Sequence, residues 1–185
     1  MSWRVCGSIA FAAIVLTGMA LVAPAAHLLE LPNKMRMEAN DYFVVQRVYN
    51  GWWLVGLLLP AALVANLALA VAARYDGMAR ILAMLAAALI ALDLAIFFVW
   101  TQPANAATAN WTTEPEAWLD LRRQWEYSHA INAGIMFLAF CATTAASLRG
   151  EARRGDGPGL TAPVPRPAGH RSTGLGNDAP RPPTN

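Results

Sequence analysis

Four separate runs of apolar residues, each about as long as a lipid bilayer is thick, dominate this chain of 185 residues. They fall at about 5–29, 51–73, 79–100 and 129–148. The first carries no charge before Glu30, the second is broken only by Pro60 and Asn66, and the third, from Ile81 to Trp100, holds a single charge, Asp93. A helix needs ~20 apolar residues to cross a bilayer. A soluble helix would instead show an apolar stripe backed by a polar face. Lipid offers no hydrogen-bond partners to a backbone, so each run must be a helix. The barrel alternative requires short alternating strands, and the sequence has none. With 56% hydrophobic and 14% charged residues, the chain has too little polar surface to cover a water-soluble globule. Its mean hydropathy of +0.35 agrees. The expectation is an all-α integral membrane four-helix bundle over residues 1–149, in a cell membrane (inner or plasma).

Ala and Gly recur in all four runs, which lets helix backbones approach closely in lipid. Arg74-Tyr75-Asp76-Gly77 reads as a tight turn that makes spans two and three antiparallel neighbours. Residues 150–185 are rich in Pro, Gly and Arg and have almost no large apolar residues, so they are expected to be a disordered tail. The first run also admits a second reading. Arg4, an apolar stretch and Ala23-Pro24-Ala25-Ala26 resemble a cleaved signal peptide, which would leave three spans and a new N-terminus near His27. The stretch is longer than the usual h-region of ~7–15 residues.

Lys and Arg set the expected orientation. Arg4, Arg74, Arg80, Arg149, Arg153, Arg154, Arg166, Arg171 and Arg181 fall on one side, and Lys34, Arg36, Arg47, Arg122 and Arg123 on the other. The richer side is normally cytoplasmic, which places both termini inside and the 30–50 and 101–128 connections outside. Trp52, Trp53, Trp100, Trp111, Trp118 and Trp125 all fall at the outer side, as an aromatic belt would. The net charge of +2 gives no case for nucleic acid. Cys6 and Cys141 make neither a metal motif nor a disulfide framework and read as packing residues. There is no nucleotide-binding glycine loop, nucleophile elbow or CxxC pair.

The informative polar residues gather at the outer end. His27 and Glu30 form His-x-x-Glu at the end of span one, and Glu126 and His129 form Glu-x-x-His at the start of span four. Spacing i, i+3 puts each pair on one helical face. Odd spans end where even spans begin, so the two pairs share a membrane depth. Asp93 lies in the outer half of span three, where an ionisable group needs a partner. Tyr42, Gln46, Tyr49 and Trp53 recur at helical spacing before span two, with Asn40 or Asp41 as the expected cap. Trp118, Arg122, Trp125, His129, Asn132 and Met136 make one stripe along span four. Each element has a plain reading: headgroup-level polarity, a Glu126–Arg122 pair at i−4, a neutral Asp93, simple interface packing. The sharper reading is convergence on one pocket.

Two His with two or three carboxylates also suit a metal. His27, Glu30, Glu126 and His129 are the candidate ligands. Di-iron bundles use Glu-x-x-His on facing helices but with further glutamates that this chain lacks. A single transition metal on two His and one carboxylate needs fewer groups.

The run His27-Leu-Leu-Glu30-Leu-Pro32-Asn-Lys34, then Val45-Gln46-Arg47-Val-Tyr49-Asn-Gly51-Trp52, resembles small four-helix bacterial membrane proteins of unknown function. These are grouped broadly with the anthrone-oxygenase-like family. Asn105-Ala-Ala-Thr108-Ala-Asn-Trp111 and Trp118-Leu-Asp-Leu-Arg122-Arg-Gln-Trp125-Glu126-Tyr-Ser-His129 extend the resemblance, which covers about residues 5–148. It implies a four-helix membrane fold. More loosely, it implies an oxidoreductase acting on a lipophilic aromatic or quinone-like substrate with no cofactor. His129 or Glu126 would then be the base and Arg122 would hold an enolate oxygen. His27, Glu30, Gln46, Tyr49, Asp93, Trp118, Trp125 and Asn132 would line the substrate site. The alternative is a non-enzymatic accessory protein that binds metal, haem or lipid. A purely structural protein is the third reading. The expected partners are the lipid bilayer and a lipophilic small molecule, with no nucleic acid; the sequence sets no oligomeric state.

Overall fold

The structure, a computed structural model, describes residues 3–155, with side chains over 6–149. The chain forms α1 (Trp3–Lys34), α2 (Ala39–Gln46), a 3-10 turn (Arg47–Tyr49), α3 (Trp53–Gly56) and α4 (Leu58–Ala72). It continues through α5 (Gly77–Ile96), a π-helical segment (Phe97–Thr101), α6 (Gln102–Ala107) and α7 (Trp118–Gly155). Four stretches are long and apolar enough to cross a membrane: Cys6–Lys34, Trp53–Ala72, Gly77–Ala107 and Trp118–Arg149. The molecule is a multi-pass membrane protein with an up-down-up-down bundle. α1 packs on α4 and α7, and α5 packs on the same two helices. The 73–76 turn joins α4 to α5 as expected. Asp76 closes it, its Oδ1 accepting from the N–H groups of Met78 and Ala79.

Two layers in the membrane part are built chiefly from alanine. Ala10, Ala13, Ala70, Ala83 and Ala146 pack with Leu69 in one, and Ala20, Ala62 and Ala139 with Ile90 and Met136 in the other. Large apolar side chains point the other way: Phe11 is 71% exposed, Phe98 64% and Phe137 56%. This inversion of the soluble pattern is what lipid permits. Tails solvate large side chains, and association rests on close approach of small ones. At Gly18 an added Cβ would meet Phe140 Cε2 at 3.3 Å, so α1 and α7 are tight there. Between the layers Asn66 ties three helices together. Its Nδ2 donates to Thr17 Oγ1 at 2.9 Å, and Thr143 Oγ1 donates to its Oδ1 at 2.7 Å.

The helix ends differ from expectation in physical ways. α1 runs past 29 to Lys34 and carries both Pro24 and Pro32 inside it. A bundle tolerates such prolines because neighbours and local adjustment satisfy the freed groups. The region before span two is not one helix from Asn40. α2 starts after Glu38, with no side-chain cap, and the chain then breaks at Gly51, whose φ of +91° suits glycine. Span three does not end at Trp100 but continues through the π segment to Ala107. Span four starts at Trp118, not near 129. Residues 150–155 continue α7, so the helix passes the expected tail boundary; the rest of that tail lies outside the described residues. Cys6 is buried, whereas Cys141 is exposed and is not the packing residue expected.

Candidate functional site

The long C-terminal turn of α1, the segment 35–52, the 101–111 turn and the start of α7 meet at one end of the bundle. Here His27 and His129, about a hundred residues apart in sequence, lie with ring centroids 4.4 Å apart. His27 is 3% exposed. It is edge-on to Tyr49 (4.5 Å) and Trp125 (4.8 Å) and lies 5.9 Å from Trp52. His129 in turn touches Trp125 at 4.3 Å. His27 Nδ1 is buried without a hydrogen-bond partner among the described residues, with Glu30 Oε2 at 3.8 Å. Glu30 accepts from the Tyr49 hydroxyl instead.

Beside the imidazoles lies a closed polar ring. Lys34 Nζ sits 2.8 Å from Glu126 Oε1, and both side chains are almost wholly buried. The Tyr42 hydroxyl donates to the same oxygen at 2.9 Å. Gln46 Nε2 donates to Tyr42 at 2.7 Å, and Gln46 Oε1 accepts from Lys34 at 3.4 Å. The ammonium also lies 4.5 Å from the Trp125 ring and 4.8 Å from that of Tyr49, within cation–π range. Two charges out of water are tolerable only when paired and hydrogen-bonded like this. Burial and the Glu126 carboxylate push the Tyr42 phenol well above its ordinary value. Burial and the Glu30 carboxylate do the same to Tyr49.

Lys34 is the principal residue that sequence reasoning missed. It counted only as an outer-side charge because α1 was expected to end before it. The Glu126–Arg122 pairing is corrected: the acid's cationic partner is Lys34. Arg122 Nη1 instead donates to Met37 O at 2.7 Å and reaches Lys34 O at 3.5 Å. It thereby satisfies carbonyls at the C-terminal end of α1, where a cation also complements the helix dipole. Its guanidinium lies 4.7 Å above the Trp118 ring.

The expected metal set is brought together only in part. Among the described residues no three His, Cys, Asp or Glu side chains are arranged to share an ion. His27 and His129 do meet, but Glu126 is held by Lys34 and Tyr42, and Glu30 by Tyr49.

Asp93 and Asn132 sit one helical turn deeper, apart from the polar ring. Both are buried, and Asn132 Nδ2 donates to the Asp93 carbonyl at 3.4 Å. Asp93 Oδ1 has no hydrogen-bond partner among the described residues.

The aromatic belt divides in two. Trp53 (70%) and Trp100 (51%) are exposed, whereas Trp111 and Trp125, at 4% each, are core residues packed with Tyr42, Phe43 and Ala104. Trp53 therefore leaves the expected Tyr42–Gln46–Tyr49 face, and Trp52 reaches His27 in its place. Trp111 is seated by three consecutive residues in left-handed backbone: Ala109 (φ 47°), Asn110 (55°) and Trp111 (62°). Such geometry costs about 1–2 kcal/mol per residue and needs firm support. Asn105 Oδ1 supplies it, accepting from Trp111 Nε1 (3.1 Å) and Trp125 Nε1 (2.8 Å), while Thr108 Oγ1 accepts from Trp111 N (3.0 Å). Nearby, Thr101 and Ser128 join the π segment to α7 at 2.7 Å.

A buried and a half-buried imidazole, with a cation and a carboxylate among indole and phenol rings, can move a proton and stabilise a developing anion where water is scarce. Comparison with family models, with curated proteins and with solved structures finds no match for this chain.

Proposed function

We propose that this end of the bundle performs acid–base chemistry on a lipophilic substrate, and that the protein is a membrane oxidoreductase of the anthrone-oxygenase kind. The observation that carries the reading is the contact of His27 with His129, beside the buried Lys34–Glu126 pair. Ionisable groups within membrane segments are costly, and they mark functional sites by default. In this reading an imidazole takes the proton of an acidic C–H and the carbanion meets dioxygen. The resulting hydroperoxide loses water, so a methylene and dioxygen become a carbonyl and water. Lys34, rather than Arg122, is the cation for the enolate oxygen, because Arg122 is held on main-chain carbonyls. Tyr49 and Trp52 cover His27, so a substrate displaces the 47–56 segment as it enters from the bilayer. Val48 and Leu54 on that segment, and Leu57 just beyond it, are exposed and apolar, as a lipid-facing cover should be. By the distribution of Lys and Arg, this end faces out of the cell and both termini face in.

The test is dioxygen uptake by the full-length protein in lipid nanodiscs, supplied with a tricyclic anthrone. His27→Ala and His129→Ala are expected to lower the rate by roughly 10²–10⁴-fold, the usual worth of a positioned base. Wild-type protein that consumes no dioxygen above the spontaneous rate overturns the reading. The full engagement of Glu126 Oε1 by Lys34 and Tyr42 favours a second reading, a structural latch joining α1, α2 and α7. That reading predicts no turnover and a large loss of stability in Glu126→Ala.

A further inference from the structure

At the opposite end of the bundle we infer a binding site for one anionic phospholipid, in the cleft between the end of α4 and the start of α5. The cleft, about 350 Å³, is lined by Leu67, Ala70, Val71, Arg74, Arg80 and Met84. Its composition is layered by depth. Span two ends at Ala72 and span three begins at Gly77, so Arg74 and Arg80 stand at headgroup level. Leu67, Val71 and Met84 lie further in and are exposed on the lipid-facing surface. This is the layout of a phospholipid: an anionic phosphate above, an acyl chain below.

The charge is available. Neither arginine has an ion-pair partner among the described residues. The Arg74 guanidinium lies 4.7 Å from the Tyr75 ring, which holds the cation without using its hydrogen-bonding edge. The carboxylate of the turn, Asp76, accepts from the N–H groups that open α5. Two guanidinium forks match a phosphate better than a zwitterionic headgroup, whose own ammonium they would repel. Basic pockets between membrane helices hold acidic headgroups in this way. The site is independent of the chemistry proposed for the histidine end.

The experiment is native mass spectrometry of the full-length protein from mixed micelles holding equal amounts of phosphatidylglycerol and phosphatidylcholine. Wild-type protein is expected to retain one phosphatidylglycerol in preference, on the order of tenfold. The double variant Arg74→Gln/Arg80→Gln is expected to lose the preference, and Arg74→Lys/Arg80→Lys to keep part of it. Both variants sit on the surface, and circular dichroism checks that they remain helical. Equal retention of the two lipids by wild-type protein overturns the inference, as does a preference that survives in the Gln variant. Inorganic phosphate that strips the bound lipid at equimolar concentration would also overturn it, assigning the arginines to a soluble anion.

Discussion

The middle of the bundle and its histidine end solve the same packing problem with opposite materials. In the middle, Ala20, Ala62 and Ala139 let α1, α4 and α7 approach around Ile90 and Met136, and one asparagine supplies the polar tie. At the histidine end, indole, phenol and imidazole rings fill the space, and an ion pair crosses from α1 to α7. The first region is held by closeness and gains little from any single side chain. The second depends on partners, so losing one group strands another. Buried charge that stability alone does not require is the physical reason to look for function there.

The contrast is sharpest for Glu126. Glu126→Ala leaves the Lys34 ammonium buried without its carboxylate and is expected to destabilise the protein by about 3–5 kcal/mol. The paired replacement Lys34→Met/Glu126→Leu is expected to cost far less, since no charge is left stranded. Thermal unfolding in detergent, followed by circular dichroism, reads both. Equal losses in the single and paired variants would erase the distinction between the two regions.

The alanine layer fails in the other direction. Ala62 is 0% exposed, so Ala62→Leu forces α4 away from its neighbours, at about 1–3 kcal/mol. Ala62→Gly should be milder, costing about 1 kcal/mol through helix propensity. If the larger residue proves harmless in the same unfolding assay, the middle is looser than its alanines imply.

The smallest effect expected is on pH dependence. The Tyr42 and Tyr49 phenols are raised from an ordinary value of 10.0 by burial and by neighbouring carboxylates. A raised value means the folded state resists ionisation that the unfolded chain allows. The stabilising contribution is therefore whole below pH 10 and is lost progressively as pH rises above it. Tyr49→Phe is expected to flatten part of that alkaline decline, and at neutral pH to lose only the hydrogen bond to the half-exposed Glu30. An identical alkaline slope in the variant would detach Tyr49 from the polar end.

The helices were legible because hydropathy is a property of consecutive residues. The shared depth of His27 and His129 was legible too, since alternating spans fix which ends coincide. Lys34 was not, because Glu30 and Pro32 are ordinary stop signals and α1 runs through both. The role of Arg122 escaped for a related reason. Its acceptors are main-chain carbonyls of residues 34 and 37, which carry no side-chain signature. The turn that seats Trp111 left no mark either, since Ala109 and Asn110 stand where glycine would signal left-handed backbone. Thr17 and Thr143 read as neutral members of apolar runs, and only Asn66 hinted at the tie they complete.

The meeting of α1 and α7 at the two imidazoles is best tested by cross-linking His27→Cys with His129→Cys, in a background of Cys6→Ala and Cys141→Ser. The reagent is a short bis-thiosulfonate applied to the full-length protein in native membranes. Near-complete intramolecular bridging, seen as a mass increase of one linker with both thiols consumed, is the predicted result. Two independently modified thiols with no bridge, in protein that remains helical, would contradict it.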